Sequence, residues 1–146
     1  MRHRRAARNN GFTLIELLIA VVIIMVSMLA LMTSIEISIR TNMDNEIRNF
    51  AIRVTNETAE ALLALPINDA ELTVGSAHNN TYTQAQQDRG FPNPTQSVRA
   101  FQQFYTITWD VTAPSDNLRQ ININVTYTYR NRSFSNSSLI YKHSAV

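Results

Sequence analysis

Hydrophobic positions are spread along this chain in three different ways, and each predicts a different element. Residues 12–32 read FTLIELLIAVVIIMVSMLALM, with Glu16 as the one charge. At about 1.5 Å per residue, a helix of this length spans roughly 30 Å, the hydrocarbon core of a bilayer. A domain this small has trouble covering a helix that is apolar on every face, so a membrane span is preferred to a buried core helix. In residues 33–65 the apolar positions thin out to Ile35, Ile39, Met43, Ile47, Phe50, Val54, Ala61 and Leu65. Intervals of three, four or their multiples put these on one helical stripe. The opposite face carries Arg40, Asp44, Glu46, Arg48, Arg53 and Glu57, with favourable i,i+4 pairs Glu36–Arg40 and Asp44–Arg48. No Gly or Pro interrupts 12–65, and Pro66 should stop the helix at about Leu65.

The third pattern is strict alternation. Tyr105, Ile107, Trp109 and Val111 alternate with Thr106, Thr108 and Asp110 in 104–112. Ile121, Ile123, Val125, Tyr127 and Tyr129 alternate with Asn and Thr in 119–129, and 134–142 reads as a further strand. Turn residues at 114–117 and 130–132 join them into an antiparallel meander with one apolar face. Between helix and strands, 66–100 is rich in Asn, Gly and Pro and reads as a long loop with one short element near 82–87. The expected fold class is therefore α+β. One long N-terminal helix, transmembrane first and amphipathic later, lays its stripe on a C-terminal antiparallel sheet of three to four strands. The one-sided sheet and the stripe each supply the cover that the other needs.

Composition narrows the function. A length of 146 residues suggests one domain. The absence of Cys excludes a disulfide scaffold, a thiolate zinc finger and a thiol nucleophile. The net charge of +2 is uneven, because Arg2, Arg4, Arg5 and Arg8 hold four of the thirteen basic side chains. Beyond them nine bases face eleven acids, which argues against a dedicated nucleic-acid binder. A basic stretch before an apolar run also describes a secretory signal peptide, but this run is longer and Thr33-Ser34-Ile35-Glu36 is not a small-x-small cleavage site. The Arg-rich flank should stay in the cytoplasm and send the C-terminus outward.

The string Gly11-Phe12-Thr13-Leu14-Ile15-Glu16 comes after a short basic leader and opens the apolar span. In this arrangement the chain resembles the type IV pilins and the type II secretion pseudopilins. The resemblance in letters covers residues 8–32, and beyond that it lies in architecture. It implies a pilin-like division into a leader (1–11), a transmembrane and assembly helix (12–32), its amphipathic continuation (33–65), a connecting loop (66–100) and a sheet (101–146). It also implies cleavage by prepilin peptidase between Gly11 and Phe12 and N-methylation of Phe12. Glu16 would set register by meeting the amine of a neighbouring subunit. A carboxylate within a span costs about 2.5–3.5 kcal/mol on insertion scales, so a partner or a function is expected on physical grounds too.

Thr33 stands where many major pilins have a helix-bending Pro, and the Cys pair of many pilins is absent. Both departures lean away from a major pilin, and the Tyr- and Trp-bearing strands, Tyr105 to Val111 and Ile121 to Tyr129, resemble those of the V-type minor pilins and the I-type minor pseudopilins. The resemblance thus implies a structural subunit and not an enzyme, with no cofactor, no metal and no catalytic residue. Its partners would be prepilin peptidase, other pilin or minor pilin subunits through the N-terminal helix, and inner-membrane lipid. It would begin as a single-pass precursor in the bacterial inner membrane, with its C-terminal domain periplasmic. It would end at the cell surface in a type IV pilus or in the periplasm in a pseudopilus. An uncleaved membrane anchor carrying a periplasmic binding domain is the alternative of another class. His3, His78 and His143 are isolated, and Asp69 and Glu71 read as solvated loop carboxylates rather than as a Ca²⁺ site. Arg99, Arg119, Arg130, Arg132 and Lys142, interleaved with tyrosines, read as edge protection in preference to a grip on single-stranded nucleic acid.

Overall fold

The structure, a computed structural model, describes residues 12–99 and 101–144; the expected leader, Gly11 included, lies outside them. Two compact units divide between Asn42 and Met43. Helix α1 (Leu14–Ala64) supplies all the regular structure described in the first unit and the first element of the second. It ends one residue before the expected position, where Leu65 precedes Pro66.

In the first unit no side chain of residues 12–42 is buried. Leu14, Leu17, Leu18, Ile23, Ile24, Val26, Leu29 and Met32 are each more than half exposed. The hydroxyls in this stretch turn inward on the helix itself. Ser27 donates to the Ile23 carbonyl (2.7 Å), Thr33 to Leu29 (3.0 Å) and Ser38 to Ser34 (3.0 Å). Such back-bonding satisfies these three hydroxyl donors within the helix, without water.

The second unit adds a four-stranded sheet and a small hairpin to the helix. The strands of the sheet are β1 (Gly75–Asn79), β4 (Thr106–Ser115), β5 (Leu118–Tyr129) and β6 (Arg132–His143), in the order β1-β4-β5-β6, all antiparallel. Strands β2 (Thr95–Val98) and β3 (Phe101–Phe104) pair with each other as a separate two-stranded sheet. A 3-10 turn (Ala70–Leu72) and helix α2 (Gln84–Asp88) complete the connection.

Helix and sheet meet as the alternation predicts. Tyr105, Ile107, Trp109, Val111, Ile121, Ile123 and Val125 are buried under Ile47, Ala51, Val54, Thr55, Thr58, Ala61, Leu62 and Leu65 of the helix side. Ala51 and Ala61 keep the stripe shallow, and the two buried threonines are satisfied by bonds to the Ala51 and Val54 carbonyls, both 2.8 Å. Of the expected stripe, Ile35 and Ile39 are exposed, and Met43 and Phe50 are only half-buried at the rim of the core. Three bonds tie helix to sheet. The Tyr105 hydroxyl donates to the Ile47 carbonyl (2.9 Å), Asn136 Nδ2 donates to Thr55 Oγ1 (2.8 Å), and the Lys142 ammonium donates to the Leu63 carbonyl.

The segment 66–100 holds more structure than a loop with one short element. Its β1 is an edge strand of the main sheet, paired His78↔Trp109 and Asn79↔Thr108, with a register break after Gly75. Gln86 organises the chain around α2. It completes a capping box with Thr83, donates to the Asn79 carbonyl (2.9 Å) and reaches Glu71 Oε1 (3.2 Å). Phe91 stacks on Trp109 with centroids 5.3 Å apart, and the Trp109 indole donates to the Glu71 carbonyl (2.9 Å). Trp109 thus anchors the 3-10 turn and Phe91 to the core, beside the β1–β4 pairing and the buried Leu72 and Val98.

Candidate functional site

The start of α1 is where the sequence places its chemistry. Thr13 is the residue before the helix, and Glu16 stands three positions on. The Glu16 backbone N–H donates to Thr13 Oγ1 (3.3 Å), while Glu16 Oε2 accepts from the Thr13 N–H and from its hydroxyl, both 3.0 Å. This reciprocal pair is a capping box, which satisfies helix donors that have no partner within the helix. A carboxylate in the first turn also lies favourably in the helix dipole. The sequence signal was there, Thr13-x-x-Glu16, but it is overshadowed by the apolar run around it. Both bonds to the carboxylate fall on Oε2, so Oε1 keeps its accepting capacity.

Phe12 lies just outside the helix and is 87% exposed. Gly11 lies outside the described residues. From Leu14 on, α1 is the one helix among the described residues long and apolar enough to cross a membrane, with a mean hydropathy of 2.9 over its best 18 residues and none of that window buried.

Residues 6–32 match the prokaryotic N-terminal methylation motif. The chain carries a prepilin-type signal. It is the signature of type IV pilins and pseudopilins, whose peptidase processing and assembly with other pilins it implies. Comparison with curated proteins and with solved structures gave no match. Behind the prepilin-type signal, the helix-on-sheet layout is pilin-like. The signal and the apolar helix are consistent with inner-membrane anchoring before assembly.

Several of the other residues singled out from the sequence are engaged in structure away from this helix start. His78 lies parallel to Trp109 at 5.9 Å, and its Nε2 lies 2.9 Å from the Thr73 carbonyl. His143 ends β6, and His3 lies outside the described residues. Asp69 caps the 3-10 turn and pairs with Arg89 (3.0 Å), which also approaches Glu71 (4.0 Å). Arg99 pairs with Glu46 of the helix (3.0 Å).

Proposed function

We propose that this chain is a minor pilin-like structural subunit, cut between Gly11 and Phe12, methylated on Phe12, and assembled into or priming a type IV pilus. The observation that carries the reading is the methylation motif at 6–32 set on an unburied apolar helix that continues into a folded domain. The proposed division of labour runs along the chain. The leader is removed, 12–32 holds the precursor in the inner membrane and then packs with other subunits, and the domain faces the periplasm.

Glu16 is the proposed register residue. In the isolated chain its charge is held by Thr13 through one oxygen. Cleavage would free an amine at Phe12, and the amine of a neighbouring subunit could reach Oε1 without dismantling the cap. In an apolar bundle such a charge pair is strong, and removal of one partner strands the other. Small size is the proposed requirement at Gly11, since a peptidase must bring this backbone close.

The test is intact mass and fractionation in the native host. Wild-type protein should be found as a chain starting at methylated Phe12, and a bulky substitution at Gly11 should leave the precursor uncut. Glu16→Ala should insert and be cleaved, yet be depleted from sheared filaments. Normal-length mature protein from the Gly11 variant would overturn the cleavage site. Wild-type levels of Glu16→Ala in filaments would overturn the register role. Wild-type protein confined to the periplasmic side would instead place it in a secretion pseudopilus.

A further inference from the structure

Beside the β5–β6 hairpin, the helix segment 44–51 and the sheet enclose an open groove of about 780 Å³. Three guanidinium side chains reach it: Arg48 from α1, and Arg130 and Arg132 from the hairpin end. Arg130 is committed, lying over the Tyr129 ring at 5.0 Å and 3.9 Å from Asp44. Arg48 does not form the expected pair with Asp44, which approaches Arg130 instead, and neither Arg48 nor Arg132 makes an ion pair or hydrogen bond among the described residues. The turn that leads into Arg132 is a tight hairpin turn, with Arg130 and Asn131 both in left-handed backbone (φ 48° and 62°) between two fully paired strands.

The groove lies at one end of an unpaired sheet edge whose charged residues, Arg132 and Lys142, stand near its two ends. Strand β6 pairs with β5 without a break from Tyr129↔Arg132 to Leu118↔His143, and with no other strand among the described residues. Residues 133–141 carry no charge, no Pro and no Gly. The opposite edge, β1, is five residues long and irregular in register. Folded proteins blunt their edges with shortness, bulges or charge; β1 has two of these and the middle of β6 none. Arg132, Phe134, Ser135 and Asn136, the first half of β6, line the groove.

We propose that β6 accepts an added strand from an extended, acidic segment of a partner polypeptide, whose carboxylates pair with Arg48 and Arg132. Main-chain bonds to the edge would supply the affinity and the two arginines the selection, as in other recognition by strand addition. The aromatic residues favour a peptide over a single-stranded nucleic acid. Tyr127 is already packed against Tyr105 and Phe134, and Tyr129 against Phe101 and Arg130, so few ring faces remain for bases. The inference does not rest on processing or filament assembly.

The experiment uses the full-length protein in nanodiscs of neutral lipid. The probe is a fluorescent peptide of about ten residues, alternating Val with Glu and Thr, read by anisotropy at low salt. The acidic peptide should bind, and its Gln analogue should bind roughly tenfold more weakly. Arg48→Gln and Arg132→Gln, both at exposed positions, should each lose affinity by a similar factor while the circular dichroism stays unchanged. Peptides N-methylated on alternate amides should fail to bind in the one phase that faces β6. Absence of acidic-peptide binding overturns the proposal, as does equal binding of the Gln analogue. Equal binding of both methylated phases shows charge attraction without an added strand, and also overturns it. Tighter binding of a thymidine oligonucleotide that is lost in the arginine variants would make the groove a nucleic-acid site instead.

Discussion

Residues 12–42 and residues 43–144 satisfy the same physical demands by opposite means. In the first stretch each side-chain hydrogen bond stays within four residues, and every apolar side chain is exposed. In the second, bonds join residues 58, 79 and 81 positions apart, and sixteen apolar residues form one core. A helix closes its own backbone bonds wherever it is, but apolar surface is stable only when something covers it. The second region carries its own cover. The first leaves its surface for lipid or for other helices, and that is the division of labour a prepilin-type signal implies.

The sharpest way to break this comparison is truncation. Deletion of residues 1–34 should leave a soluble domain with a cooperative melt, because the stripe from Ile47 onward is kept. Deletion of 1–66 should abolish cooperative melting, because a sheet with an uncovered apolar face is not stable alone. Thermal melts monitored by circular dichroism separate the two, and a cooperative melt from the shorter chain would show that helix and sheet do not share a core.

Trp109→Ala comes next. It removes the largest fully buried side chain, together with its contact to Phe91 and its bond to Glu71. A loss of about 3–5 kcal/mol is expected in urea unfolding of the 35–146 domain. The same change should leave membrane insertion of the full chain intact, which tests the independence of the two regions.

Tyr105→Phe should cost about 1 kcal/mol, from the hydroxyl bond to Ile47. It should also change the pH profile. Burial, with Tyr127 nearby, pushes the Tyr105 phenol well above its ordinary 10. The unfolded chain then loses this proton first, so stability is full below about pH 10 and falls as pH rises above it. Urea midpoints across that range should fall less steeply in Tyr105→Phe than in the wild type. A residual slope is expected from Tyr127, which burial also raises.

The smallest effects concern single bonds. Asn136→Ala should cost about 1 kcal/mol, seen as a lower urea midpoint, because Thr55 Oγ1 loses its sheet partner. Thr13→Ala should weaken the start of α1 by about 1 kcal/mol and leave the melting temperature of the domain unchanged. Faster amide exchange at residues 14–17 alone would confirm that the cap is local, and a shifted domain melt would show coupling that the two-region view does not contain.

Much of the molecule was legible in its sequence, because it depends on period and local chemistry. The unbroken apolar run, the three-four stripe and the two-residue alternation are statements about which way side chains face, and periodicity carries them directly. The prepilin-type string around Gly11, Phe12 and Glu16 is a short linear signal and was legible in the same way. The capping box was equally local, though easily passed over beside a run so apolar.

Tertiary structure alone decided the rest. Strand β1 has no alternation to betray it, since an edge strand is held by backbone bonds and only His78 pairs beside the core tryptophan. Residues 101–104 look continuous with the strand after them, yet they pair with β2 in a separate hairpin. The order β1-β4-β5-β6 leaves a long edge at β6, and the helix brings Arg48 to the side where Arg132 emerges. Residues that lie 84 positions apart in the chain line one groove only because the core packs as it does, and no local pattern encodes a juxtaposition of that range.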